Sequence, residues 1–250
     1  MELTFWVASG ILFYTYFGYP VLLGLLVKIK KKMSRTEPIH YSFDSLPEMT
    51  FIVACYNEAD ILENKIKNTL DLHYPLDRKK MFFVTDGSTD FSAKIIEKYP
   101  GMRLFHENER KGKNAAINRV MQYVDTPITI FSDANTILNK DALFLLARHY
   151  KDEKVGAVTG EKRVIKNQED NAAGSGEGAY WKYESKLKQW DSELNTVVGA
   201  AGELFSIRTS FYEEVPSGVL IEDFRLSMNI AKKGYRVVYE PNAYAMETSS

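Results

Sequence analysis

Cysteine is all but missing from this 250-residue chain: Cys55 is the only one. An intramolecular disulfide is therefore impossible, and a structural zinc site built on two or more cysteines is excluded as well. A domain facing a reducing compartment is the natural expectation. An excess of charge of one sign is also missing. Lys and Arg number 32 against 33 Asp and Glu, for a formal net charge of -1. No basic surplus points to a nucleic-acid backbone, and no acidic surplus points to disorder. Two glycine patterns are absent too. No glycine-rich phosphate loop follows the first predicted strand, which a nucleotidyltransferase would want. No G-x-G-x-x-G follows any strand, which argues against a Rossmann dehydrogenase.

The longest local absence is of charge, from Leu3 to Val27. A helix rising about 1.5 Å per residue over that stretch crosses a hydrocarbon core of roughly 30 Å. Pro20 is tolerated inside a membrane helix and is expected to kink it. Trp6 lies near one end, where interfacial aromatics collect, while Tyr14, Tyr16 and Tyr19 lie further in. Lys28, Lys30, Lys31, Lys32 and Arg35 follow at once. The positive-inside rule sets them in the cytoplasm, with the N-terminus outside. A cleaved signal peptide carries its positive charge before a shorter apolar run, the reverse of this order, and a buried core helix is the third reading. The expected organisation is a transmembrane anchor over residues 1–30, a polar linker over 31–47 and one domain over 48–250. About 200 residues beyond the anchor suffice for a sizeable α/β core.

Past the linker, short apolar runs alternate with helical stripes. Predicted strands are Thr50–Cys55, Met81–Val84, Met102–Phe105, Pro127–Phe131 and Val155–Val158; helices run from Ile61 to Leu70, Ala93 to Tyr99, Ala115 to Val124 and Asp141 to Tyr150. This alternation predicts a mostly parallel sheet with helices on both faces. Ligands bind such sheets at the carboxyl ends of strands. Tyr56-Asn57-Glu58, Asp86-Gly87 and Asp133-Ala134-Asn135 each follow a predicted strand, so neighbouring strands would bring them to one crevice. Asn171 to Gly178 is expected to be a mobile loop. The aromatics Tyr180, Trp181, Tyr183 and Trp190 follow at roughly helical spacing, and a strand over Glu203–Ile207, a helix over Ile221–Lys233 and a last strand over Arg236–Tyr239 complete the pattern.

Several residues carry two readings. Asp133 and Asn135 offer oxygen ligands to a hard cation such as Mn2+ or Mg2+, or they form an Asx turn. Asp86 can accept hydrogen bonds from a nucleobase imide or a ribose hydroxyl, or it belongs to a turn and cap that Ser88 or Asp90 could supply equally well. Arg110-Lys111-Gly112-Lys113 before a helix can meet a diphosphate, helped by backbone N–H groups, or is a cationic surface loop. Glu222-Asp223 at a helix start suits the helix dipole, and a carboxylate there can also take a proton from a hydroxyl.

Five segments occur together and in order: VACYNE (Val53 to Glu58), TDGSTD (Thr85 to Asp90), KGKNAAIN (Lys111 to Asn118), FSDANT (Phe131 to Thr136) and IEDFRLSMNIAKKGYRV (Ile221 to Val237). From about Met49 to Thr248 the chain resembles the family 2 glycosyltransferases, whose nucleotide-sugar-binding fold is called GT-A. The resemblance implies an inverting, metal-dependent transfer, using Mn2+ or Mg2+, from a nucleotide-sugar, usually a UDP-sugar. The acceptor would be a hydroxyl of a saccharide or a lipid-linked molecule in cell-surface or exopolysaccharide synthesis. It implies that Asp86 contacts the base, with Tyr56, Asn57 and Glu58 lining that end of the pocket. Lys113 would lie near the diphosphate. Asp133 and Asn135 match the metal motif, and Asp223 matches the catalytic base. Gly199 to Glu203, including Gly202 and Glu203, the Trp181 region and Glu222 fall where related enzymes bind acceptor.

Three positions depart from the pattern. Thr85 stands where a further aspartate is common, Asn135 replaces the second aspartate of the metal motif, and Ile221 replaces a threonine before Glu222-Asp223. Processive cellulose, chitin and hyaluronan synthases also carry Gln-x-x-Arg-Trp after the base and further membrane helices. Neither occurs here, so the chain reads as cut before that segment. The alternatives are an inactive or incomplete fragment serving as a membrane scaffold, and a nucleotidyltransferase.

Overall fold

A computed structural model of the chain describes residues 2–33, 45–165 and 173–248. The N-terminal apolar segment is one long helix in three parts: α1 (Glu2–Phe13), a π-helical turn (Tyr14–Gly18) and α2 (Tyr19–Met33). The widened turn sits just ahead of Pro20. A proline removes a helical hydrogen bond and crowds the carbonyl four residues back, and one π-turn relieves both. The apolar side chains of α1 are exposed, Leu3, Phe5, Trp6, Ile11 and Phe13 among them. Over Glu2–Met33 this helix is long and apolar enough to cross a membrane.

The helix is tied to the rest of the chain through α7 (Ala173–Leu194). A β-carbon on Gly24 would meet the Trp190 ring at 3.3 Å, so α2 approaches closely at that point. Tyr19 donates to Asp191 at 2.5 Å, and Tyr183 donates to the Tyr16 carbonyl at 2.8 Å. Lys30 Nζ caps the end of α7, donating to the carbonyls of Glu193 and Leu194 at 3.0 and 2.7 Å, and Lys31 pairs with Glu193 at 2.9 Å. Cations are favoured at a helix C-terminus, so two lysines read as flanking charge also fasten α7.

The remaining elements alternate as expected, except that β5, a strand the sequence did not suggest, follows β4 directly: β1 (Met49–Cys55), α3 (Ala59–Leu70), β2 (Lys79–Asp86), α4 (Ser92–Glu97), β3 (Arg103–Glu107), α5 (Lys113–Met121), β4 (Ile128–Asp133), β5 (Thr136–Leu138), α6 (Ala142–Ala147) and β6 (Val155–Ile165). After α7 come β7 (Leu204–Arg208), α8 (Glu222–Lys232) and β8 (Arg236–Thr248). The eight strands form one sheet in the order β3-β2-β1-β4-β7-β6-β8-β5. β3, β2, β1 and β4 are parallel to one another. β7 runs against both its neighbours, β6 and β8 pair in parallel, and β5 closes the edge antiparallel to β8.

Successive residues of β1 face opposite sides of the sheet, which explains its unbroken apolar run. Met49, Phe51 and Val53 pack with Leu62 and Ile66 of α3, Ile96 of α4 and Leu143 of α6. Ile52 faces the other way, with Ile117 and Val120 of α5 and Leu226 and Ile230 of α8. Helices thus cover both faces.

One expectation fails. Ala173 to Gly178 opens α7 and is not a loop; Asn171 and Ala172 lie outside the described residues. Glycines weaken a helix, but the later turns of α7 are held against α2 and β8, where Ser192 Oγ accepts the Tyr239 N–H at 2.9 Å. Tertiary packing overrides the local preference. Of the expected linker, residues 34–44 also lie outside the described residues, while Leu46 is buried in the core and the Pro47 carbonyl accepts from Tyr74 at 2.5 Å.

Candidate active site

The register of the parallel strands brings the carboxyl ends together. Cys55 lies beside Thr85, and Ala54 beside Asp133. Beyond them opens a crevice of about 770 Å³ lined by Tyr56, Glu58, Asp86, Arg110, Lys113 and Asp133, with Asn135 at its edge. Asn57 is not in that wall. It takes a left-handed conformation (φ 51) and knits two loops together: its Oδ1 accepts the Thr89 N–H at 2.9 Å and its own N–H donates to Ser88 at 3.2 Å.

Asp86 is buried at the end of β2. Its Oδ2 accepts the N–H groups of Lys111 and Gly112 at 2.8 and 2.6 Å, which folds the basic loop over the crevice. Those two N–H groups are therefore engaged by Asp86. Oδ1 has no hydrogen-bond partner among the described residues; Arg119 Nη1 stands 3.6 Å away. A buried acceptor of this kind is costly unless something donates to it. Gly87 (φ +69) allows the close packing of the loop, because a β-carbon there would stand 2.6 Å from Arg110 Cβ. Asp90 takes the capping role, accepting the Ala59 N–H at the start of α3 and the Ser92 N–H at the start of α4. Desolvation works against its charge, but the bonds from Ser92 and Ala59 together outweigh it and hold its carboxyl below the usual range. Asp86 thus has no part in capping those helices. Above it, the Arg110 guanidinium stacks on the Tyr56 ring at 3.8 Å. Glu58 is raised by burial, then by the charges of Asp133 and Asp90.

Asp133 ends β4. Its carboxylate pairs with Lys113 Nζ at 2.8 Å, and the same Nζ reaches Glu222 Oε1 at 2.7 Å. Burial works against the charge on Lys113, but Asp133 and Glu222 outweigh it and raise its pKa. Lys111 points elsewhere, to Glu109 at 3.1 Å. Beneath the turn carrying Asp133, Lys65 of α3 is fully buried and donates to Ser132 Oγ at 2.9 Å and the Thr136 carbonyl at 2.8 Å. Desolvation lowers Lys65 to about 7.

Asp133 and Asn135 supply a carboxylate and an amide oxygen, which suits a hard divalent cation such as Mn2+ or Mg2+. The Asn135 Nδ2 donates to Glu247 at 2.7 Å, so the amide oxygen is the end left for an ion. Among the described residues no cluster of three or more His, Cys, Asp or Glu encloses an ion by itself. A metal held here would complete its shell with water and the oxygens of a bound substrate.

A second opening, of about 800 Å³, adjoins the first and shares Lys113 and Asp133 with it. Trp181, Gly202, Glu203, Glu222 and Asp223 line it as well. Asp223 lies in the first turn of α8, where Oδ1 accepts the Phe224 N–H at 2.8 Å. Burial pushes its carboxyl up; the Phe224 N–H and Lys113 pull it down, and Glu222 and Glu203 raise it further. Ile221 gives α8 no side-chain cap. The arrangement therefore sets the Lys113 ammonium, the Asp133 carboxylate and the half-buried Asp223 carboxylate on one opening. Sequence reasoning missed Arg119, Lys65, Lys162 and Glu247. Lys162 joins Glu203 at 2.7 Å to Glu247 at 2.6 Å, across elements far apart in the chain.

Several known proteins are similar to this chain over most of its length. Poly-beta-1,6-N-acetyl-D-glucosamine synthase from Staphylococcus aureus is 29% identical over 227 residues, covering 83% of this chain and 53% of the relative. The synthase of the same name from Staphylococcus epidermidis is 25% identical over 246 residues, covering 96% of this chain and 56% of the relative. The chain thus spans about half the length of these relatives. Among solved structures, the mannosyltransferase PcManGT from Pyrobaculum calidifontis, in complex with GDP-Man and Mn2+, matches with a TM-score of 0.73 and 25% identity. The match covers 95% of this chain and 66% of that one. The fold is of the GT-A type, as the motifs implied. The model of a family described as Glycosyl transferase family 2 matches residues 50–215. The chain belongs to glycosyl transferase family 2.

Proposed function

We propose that the chain is an inverting transferase that moves a sugar from a nucleotide-sugar to a hydroxyl of a saccharide or lipid-linked acceptor, with Asp223 as base. One observation carries the reading: Asp133 and Asp223 line a single opening, with Lys113 between Asp133 and Glu222. The donor's base and ribose sit by Tyr56, Glu58 and Asp86, whose Oδ1 accepts no hydrogen bond among the described residues and has Arg119 3.6 Å away. Lys113 binds the diphosphate. Asp133 and Asn135 would hold Mn2+ or Mg2+, which would supply a Lewis acid for the negative charge of the nucleoside diphosphate. Trp181, Gly202, Glu203 and Glu222 receive the acceptor. Asp223 takes the proton of the attacking hydroxyl as its oxygen bonds to the anomeric carbon, on the face opposite the breaking bond to the diphosphate. Holding both reactants in line supplies much of the rate.

Relatives named for an N-acetylglucosamine polymer support UDP-N-acetylglucosamine or a close UDP-sugar as donor, and synthesis of a cell-surface or exopolysaccharide as the setting. The long apolar helix Glu2–Met33, with its exposed α1 part and the lysines of its last turns, supports a membrane anchor over residues 1–30, a linker over 31–47, and a catalytic domain over 48–250 on the cytoplasmic side. Donor binding measured with and without Mn2+ tests the reading. D133A is expected to lose metal-dependent binding, and unchanged binding overturns the metal assignment.

A further inference from the structure

Glu247 belongs to none of the five motifs, yet its carboxylate lies 2.7 Å from the Asn135 amide nitrogen. We propose that Glu247 is a positioning residue for the metal motif: it turns and polarises the Asn135 amide, supplying the charge that an aspartate at position 135 would carry itself. The inference rests on the reading of Asp133 and Asn135 as metal ligands.

A carboxylate only accepts hydrogen bonds, so the amide must present its NH2 group to Glu247. The opposite orientation would set two acceptors 2.7 Å apart. An amide without such a partner turns either end outward, and an N–H facing a cation repels it. The bond to Glu247 leaves Oδ1 as the outward end. It also draws positive character onto the amide nitrogen and electron density onto Oδ1. A carboxylate behind a metal-bound imidazole raises ligand basicity in the same way.

Glu247 is well restrained for this task. It sits in β8 directly opposite Thr136 of β5, the residue after Asn135, so the sheet register sets its place. Its other oxygen pairs with Lys162 Nζ at 2.6 Å, and Lys162 also holds Glu203 at 2.7 Å. An aspartate at 135 would confront the Glu247 carboxylate directly. The departure from a two-aspartate motif and the presence of Glu247 thus form one arrangement, in which Asn135 donates and Glu247 accepts.

The test compares E247Q, N135D, the N135D/E247Q double variant and D133A in the full chain. One readout is Mn2+ affinity in the presence of UDP, from the paramagnetic resonance signal of free Mn2+; the other is the melting temperature in EDTA. E247Q should bind Mn2+ about tenfold more weakly while melting near the wild-type temperature, because a neutral amide oxygen still accepts from Asn135. N135D should melt lower in EDTA from the apposed carboxylates, and adding E247Q should restore the melting temperature, a coupling that a double-mutant cycle reads directly. Wild-type Mn2+ affinity in E247Q overturns the proposal, and so does a double variant whose melting shift is the sum of the two single shifts. D133A retaining Mn2+ affinity overturns the metal reading itself. D133A losing that affinity alongside either of the former results overturns the role of Glu247 alone.

Discussion

Gly202 lies flush against Asp223: a β-carbon at position 202 would stand 3.2 Å from Asp223 Oδ2. That separation is tighter than ordinary van der Waals contact, so the carboxylate must shift by a few tenths of an ångström to admit a methyl group. Gly202→Ala is expected to lower kcat about tenfold, since small misplacements of a reacting group are costly, with little change in melting temperature or in donor KM. Steady-state kinetics beside a thermal melt checks this split.

Burial raises the Asp223 carboxyl above the ordinary aspartate value of about 3.9. The acid limb of kcat/KM is therefore expected above that value. The sign for stability follows from linkage. A raised carboxyl contributes stability that is complete below pH ~3.9 and is lost as pH rises through the folded-state value. At neutral pH the site keeps a charge that burial disfavours, so Asp223→Asn should melt at or above the wild-type temperature while losing turnover. Melting curves at pH 7 test the sign.

Glu240 titrates the other way. Burial alone would raise it, but His149 at 2.8 Å and the Arg148 guanidinium outweigh burial and lower it to about 2. Its contribution to stability is present above pH ~4.3 and is lost as pH falls toward the folded value. Glu240→Gln is expected to cost about 3 kcal/mol at pH 7 and progressively less in acid. Denaturant melts across that range measure the difference.

The strands that form the site were legible because burial on both faces writes a continuous apolar run, as in Phe51, Ile52 and Val53 of β1. Their polar ends were legible because a parallel sheet gathers strand ends at one edge. The rest depends on contacts between distant parts of the chain. Nothing near Asn135 announces Glu247, which β8 brings back beside it. Nothing near Lys65 signals that its ammonium lies beneath the turn that carries Asp133. Asn57 reads as a pocket residue by position, but its left-handed backbone makes it a loop tie. The glycine-rich start of α7 reads as a loop because the partners that hold that helix, Gly24 and Tyr16 among them, lie more than a hundred residues earlier in the chain.

The central claim is that Asp223 removes the acceptor's proton while Asp133 serves the donor. Asp223→Asn tests it most directly when donor affinity and nucleoside diphosphate release are measured on the same preparation with Mn2+. The account predicts donor affinity within about twofold of wild type and turnover reduced by roughly 100-fold or more. Turnover near the wild-type rate would contradict it.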